Sequence, residues 1–160
     1  MKYVSFVLLV TLFNYSFSQS YGRIVSIHDG DTYRIELIDN QEIIKVRLFG
    51  IDTTELKQDF GIVVRDTCRS RYLKQLVKVR HDHSDRYGRY VCELYLGEVS
   101  INETLIKEGY AWNYYRYSKS KYWEELQQKA KRLKIGLWYN SNAVAPSEYR
   151  TKNKLRKLND

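Results

Sequence analysis

The alternation of apolar and polar residues between positions 21 and 49 is the strongest constraint on what this chain can fold into. In residues 21–28, Ile24, Ser26 and His28 alternate with Val25 and Ile27. Residues 32–37 alternate again, with Tyr33, Ile35 and Leu37 on one face, and residues 41–49 make a third run of the same kind. A period of two is the signature of a strand with one buried face. The connections are tight and polar: Asp29-Gly30-Asp31, then Asp39-Asn40. Asp-Gly between alternating runs is a strong hairpin signal. Three antiparallel strands in a meander follow.

The rest of the chain mixes periods. Val64, Cys68, Tyr72 and Leu76 recur every four residues, with Leu73 beside them, which predicts a helix over 59–76. Residues 77–81 and 89–96 read as a fourth and fifth strand around a charged turn. Ser100-Ile-Asn-Glu103 is a capping box opening a short helix that Gly109 ends. An aromatic segment covers 110–117. A last helix, capped by Ser118 or Ser120, would bury Tyr122, Leu126, Ala130, Leu133 and Leu137, with Lys129, Lys131, Arg132 and Lys134 near its C-terminus, where the macrodipole favours cations. Five strands with a helix between the third and fourth is the element order of an OB-type barrel, a mainly β chain with added helices (α+β).

Both ends differ from this core. Lys2 precedes an apolar run over 4–13 that turns polar by Asn14, with Ser16 and Ser18 before a cut after Ser18. That is the outline of a secretory signal peptide over 1–18, the alternative being a membrane anchor for which the run is short. One domain is expected over 19–150 and a basic tail over 151–160, the latter a solvated end or a phosphate-binding arm. The whole chain has 160 residues and a formal charge of +8. Such an excess of Lys and Arg in an exported protein points to a polyanionic partner. Fifteen tyrosines lean the choice towards nucleic acid, because an aromatic ring can stack on any base. Cys68 and Cys92 have no metal-binding spacing; they read equally as a disulfide, which export permits, or as two buried thiols.

Charge gathers where the third strand ends, in Val46-Arg47-Leu48-Phe49-Gly50-Ile51-Asp52-Thr53-Thr54-Glu55. If Val46 and Leu48 face the core, Arg47 faces the other way. If the Asp29–Asp31 turn lies at the same end of the barrel, Asp31 and Asp52 converge. Close carboxylates need a counter-ion, and oxygen donors alone suit Ca²⁺ or Mg²⁺ rather than zinc. Arg47 and Arg89 are solvated ends of strands or, beside such an ion, a clamp for a phosphodiester. His81-Asp82-His83 is a rival metal pair, since i and i+2 on a strand share a face; solvated turn histidines are the plainer reading.

Asp29-Gly-Asp-Thr32, the stretch 46–55, Asp85-Arg-Tyr-Gly-Arg89 and Gly136-Leu-Trp138 resemble, in order and spacing, the successive motifs of the thermonuclease (staphylococcal nuclease-like) family. The resemblance spans about 21–150. It implies a five-stranded OB-fold barrel with three helices and a Ca²⁺-dependent phosphodiesterase that cleaves DNA and RNA to 3′-phosphate ends. It implies Asp31 and Asp52 as carboxylate ligands, Thr53 as a ligand through its carbonyl, and Asp29 near the metal. Arg47, Glu55 and Arg89 would be catalytic, with Glu55 as base, and Tyr87, Tyr115 and Tyr117 would surround the nucleotide. An exported monomer, secreted or periplasmic, is the expected state; a catalytically weak nucleic-acid-binding module on the same barrel is the alternative. One departure is Thr54, where the family has proline, which is expected to loosen the loop that aims Glu55. The loop from Glu55 to the first helix is also short.

Overall fold

The computed structural model describes residues 19–159. The meander is present as β1 (Gln19–Ile27), β2 (Thr32–Leu37) and β3 (Ile43–Leu48). A short β4 (Ile51–Thr53) leads into α1 (Gly61–Tyr72), and β5 (Leu76–Ser84), β6 (Tyr90–Leu96) and β7 (Val99–Ser100) follow. After α2 (Ile101–Lys107) come β8 (Ala111–Asn113), α3 (Lys121–Arg132), a 3-10 turn over Gly136–Tyr139, and α4 (Pro146–Asn159). The strand order is β3-β2-β1-β5-β6-β7, and a parallel pairing of β3 with β6 closes a five-stranded barrel.

On β2 and β3 the inward positions are those the alternation marks; on β1 the expected alternation is corrected, because a bulge between Ile24 and Ser26 turns both Ile24 and Ile27 inward and leaves Val25, Ser26 and His28 exposed. Ile24, Tyr33, Ile35, Val46, Leu48, Val79 and Leu94 are at most 2 % exposed, and Val64, Cys68 and Tyr72 of α1 close one end of the barrel. Each such side chain contributes about 1.5–3 kcal/mol by leaving water. Gly50, at φ +66°, turns the chain from β3 into β4; a Cβ there would sit 2.6 Å from the Ser118 side chain. The turn lets β4 leave the barrel and pair with β8, with Asp52 opposite Trp112.

Three further expectations are corrected. The first helix ends at Tyr72, not 76: Lys74 adopts φ 68° and Leu76 enters β5 opposite Arg23, where it is exposed. The buried face of α3 is Trp123, Gln127 and Ala130, while Tyr122 and Leu133 are exposed. The buried Gln127 amide is compensated by accepting a hydrogen bond from Asn113 N at 2.9 Å, a pairing apolar periodicity does not reveal. Of the two candidate caps for this helix, Ser120 serves, accepting from Trp123 N. The basic end is not a frayed tail but α4, with Lys152, Lys154 and Arg156 exposed.

Cys68 and Cys92 are free, fully buried thiols, pushed up by burial to about 11 and about 12 respectively. The expected signal peptide at 1–18 lies outside the described residues, among which no helix is long and apolar enough to cross a membrane.

Candidate active site

Register brings the charged groups together. Thr32 pairs with Arg47 in the β2–β3 ladder, and Leu48 N donates to the Asp31 carbonyl at 2.8 Å, so Asp31 lies beside the end of β3. Barrel closure sets Arg47 opposite Val91 and Val46 opposite Tyr90, which brings the turn carrying Arg89 to the same rim. Pairing of β4 with β8, together with Tyr114 N donating to Gly50 O at 2.8 Å, carries the aromatic segment to the other side.

A cleft of about 710 Å³ opens there, lined by Asp29, Asp31, Arg47, Asp52, Thr53 and Glu55 on its floor and by Tyr87, Arg89, Tyr114, Arg116 and Tyr117 among its walls. Asp31 and Asp52 are buried, and Arg47 spans them: Nη1 lies 2.7 Å from Asp31 Oδ2, and Nη2 donates to Asp52 Oδ1 at 2.9 Å. Thr53 donates both its N–H (2.8 Å) and its hydroxyl (2.9 Å) to the same Asp31 oxygen. Arg89 is fixed differently. Asp85 accepts from its backbone N–H and from Nε (3.0 and 2.7 Å), which leaves the Nη edge of the guanidinium for a phosphate. Against the cost of burial, those bonds hold Asp85 below the usual carboxylate range. The Tyr87 ring lies 5.6 Å from the Arg89 guanidinium and is itself largely exposed.

Of the sequence-derived residues, Asp31, Arg47, Asp52, Thr53, Glu55, Tyr87, Arg89 and Tyr117 line this one cleft. Tyr115 is exposed and is not among the lining residues; Tyr114 takes that place, packed edge-on against Tyr117 with ring centres 5.1 Å apart. Asp52 and Thr53 sit on strand β4 rather than on a loop. The histidine pair is split by a bulge between His81 and His83, which breaks the alternation: His81 packs on Tyr90, while His83 bonds Asp82 at 2.5 Å.

Missed from sequence was Arg150 of α4. It donates to Asp52 Oδ2 at 2.8 Å, to Asp52 Oδ1 at 3.2 Å and to Glu55 Oε1 at 2.7 Å. A basic run near the C-terminus was its only signal. Thr54 is buried, and the loop after it is tied by Gln58 N donating to Glu55 O at 2.9 Å. Gly61 is required beneath it, since a Cβ there would fall 2.0 Å from the Glu55 carbonyl oxygen.

The donor chemistry fits a hard divalent cation. Asp29 is raised to about 6, first by burial and then by the Asp31 charge, and burial also raises Asp52 despite its bonds to Arg150. Burial thus disfavours the bare charge on these carboxylates, and a bound cation would compensate it. Among the described residues no group of three or more His, Cys, Asp or Glu forms a ready cage. Asp31 and Asp52 would be the protein's charged ligands, with backbone carbonyl and water oxygens completing the shell.

Residues 45–140 match the family model described as "Staphylococcal nuclease homologue". The chain is 33% identical over 146 residues to an "Uncharacterized endonuclease" of Escherichia coli O157:H7, covering 91% of this chain and 94% of that one. It is 35% identical over 144 residues to a "Micrococcal nuclease" of Shigella flexneri, covering 83% and 82%. A Haemophilus influenzae protein, also an "Uncharacterized endonuclease", is 35% identical over 133 residues, covering 83% and 74%. With the matched segment holding the end of β3, β4, the Arg89 turn and the aromatic wall, the chain belongs to the staphylococcal nuclease homologue family.

Proposed function

We propose that this nuclease is an exported, Ca²⁺-dependent phosphodiesterase that cleaves DNA and RNA endonucleolytically and leaves 3′-phosphate ends. The observation that carries the reading is the convergence of Asp31, Asp52, Arg47, Arg89 and Glu55 on one cleft. A binding module would need the basic and aromatic rim but not two buried carboxylates bridged by a guanidinium. The relatives named endonuclease support internal cleavage. The apolar run before Asn14 supports export and a mature chain beginning near Gln19.

The chain's own groups divide the work. Tyr87, Tyr117 and Arg116 at the rim hold a single strand by stacking and by charge. Arg47 and Arg89 donate to the non-bridging phosphate oxygens, where charge grows as phosphorus becomes five-coordinate. Glu55 accepts a proton from the attacking water as its oxygen bonds to phosphorus. The bond from phosphorus to the 5′-oxygen breaks; that oxygen keeps the electron pair and takes up a proton, leaving the phosphate on the 3′ side. Calcium held by Asp31, Asp52 and the Thr53 carbonyl would supply charge neutralisation and orientation.

The test is cleavage of heat-denatured DNA and of RNA by the chain from Gln19 in Ca²⁺, in Mg²⁺ and in chelator, with end-group analysis. Cleavage in Ca²⁺ that chelator stops, with 3′-phosphate ends, is the expected result. Retention of DNA without cleavage in either metal would return the protein to the class of binding modules.

A further inference from the structure

The C-terminal helix enters the site from a distance. The segment matched by the family model ends at residue 140, and α4 begins at Pro146. The helix and the segment just before it are nonetheless fastened to the Glu55 loop at three points. Gln58 accepts from Glu55 N through Oε1 at 3.2 Å and donates through Nε2 to the Val144 carbonyl at 2.5 Å. The Tyr149 hydroxyl donates to the Lys57 carbonyl at 3.0 Å. Arg150 then closes the set by bridging Asp52 and Glu55. The first two contacts act on the loop's backbone and the third on the side chain that the loop presents.

We propose that α4 is a working part of the site, and that Arg150 is a positioning residue that holds the Glu55 carboxylate in place for the attacking water. The proposal rests on the nuclease reading above. Position 54 is Thr, which leaves the loop's backbone torsion there free of a ring. A proline would stiffen the loop through one backbone torsion; here a guanidinium fork fixes the carboxylate directly and β4 anchors the fork through Asp52. Two carboxylates bridged by one guanidinium require its planar, multi-donor geometry, which an ammonium does not offer. A misplacement of about 1 Å in such a group is enough to lose about a hundredfold in rate.

The experiment compares full-length parent, Arg150→Ala, Arg150→Lys, Glu55→Gln and the Arg150→Ala/Glu55→Gln double variant. Kinetics on denatured DNA should show kcat for Arg150→Ala lower by about 10–100-fold, as for loss of an orienting partner, with KM within about threefold. Arg150→Lys should recover only part of this. Calcium binding by calorimetry should be unchanged or tighter, since a positive charge beside Asp52 has gone. Thermal unfolding without calcium should be non-additive across the double-mutant cycle, because the two side chains touch. Unchanged turnover would reduce the contact to a surface ion pair, and a faster variant would make Arg150 a plug. Calcium affinity that falls in step with kcat would move its role to the metal. Each of these overturns the proposal. The unfolding cycle is independent of turnover: if the parent cleaves nothing but coupling is present, the brace stands and the nuclease reading fails, and additive unfolding rejects the brace whatever the parent does.

Discussion

The floor and the rim of the cleft are built on opposite principles. On the floor, Asp31 and Asp52 are at most 6 % exposed, and Asp31, Asp52, Glu55 and Arg47 are each answered by an opposite charge within 3 Å: Arg47 by two aspartates, Asp52 by two arginines. On the rim, Tyr87 and Tyr117 are more than half exposed, and Arg86 and Arg116 rest on tyrosine faces. The floor is preorganised, so its geometry costs nothing to assemble during the reaction. The rim is adaptable, so it can take any base. Chemistry and capture should therefore fail separately.

The largest effect should come from the floor's reactive edge. Glu55→Gln should slow cleavage by about 10²–10⁴-fold, the range of a general base, while leaving DNA retention intact in a filter-binding assay; unchanged turnover would remove Glu55 from the chemistry. Arg47→Ala should follow, with cleavage down about 10²–10³-fold and, because two buried carboxylates lose their shared partner, stability down by about 3 kcal/mol in urea unfolding without calcium. Calcium should restore much of that stability, and failure to do so would place the cation elsewhere. On the rim, Tyr87→Ala and Tyr117→Ala should each raise KM about five- to tenfold at nearly constant kcat, a stacking loss of about 1 kcal/mol per base. A fall in kcat instead would dissolve the distinction between the two regions.

The smallest effect is a titration. Asp29 titrates near 6 in the folded protein against 3.8 for a free side chain. Between those values the folded state binds more protons than the unfolded one, so without calcium stability falls as pH rises from about 4 to about 6. Asp29→Asn should flatten that slope. Urea midpoints across this window measure it, and an equal slope in both proteins would assign the pH dependence to another group.

What was legible in the sequence was what short-range order controls. Val46 and Leu48 are buried and Arg47 faces the cleft because a strand alternates, and Asp31 meets Arg47 because a tight hairpin sets the register of β2 on β3. Illegible features depend on breaks in periodicity or on distant docking. The bulge at Asp82 separates two histidines that alternation would pair. The buried face of α3 is shifted because Gln127 satisfies a backbone N–H of β8. Tyr114 rather than Tyr115 reaches the cleft because the short β8 ends at Asn113 and the chain turns there, Tyr117 N donating to Tyr114 O. Arg150 lies 98 residues from Asp52, a separation no local pattern bridges.

The two buried thiols carry a consequence for how the protein is made. With pKa values of about 11 and 12, the more acidic thiol exists as thiolate at neutral pH in only about one part in ten thousand. No disulfide has to form to complete this fold, so the yield of folded protein should not depend on an oxidant.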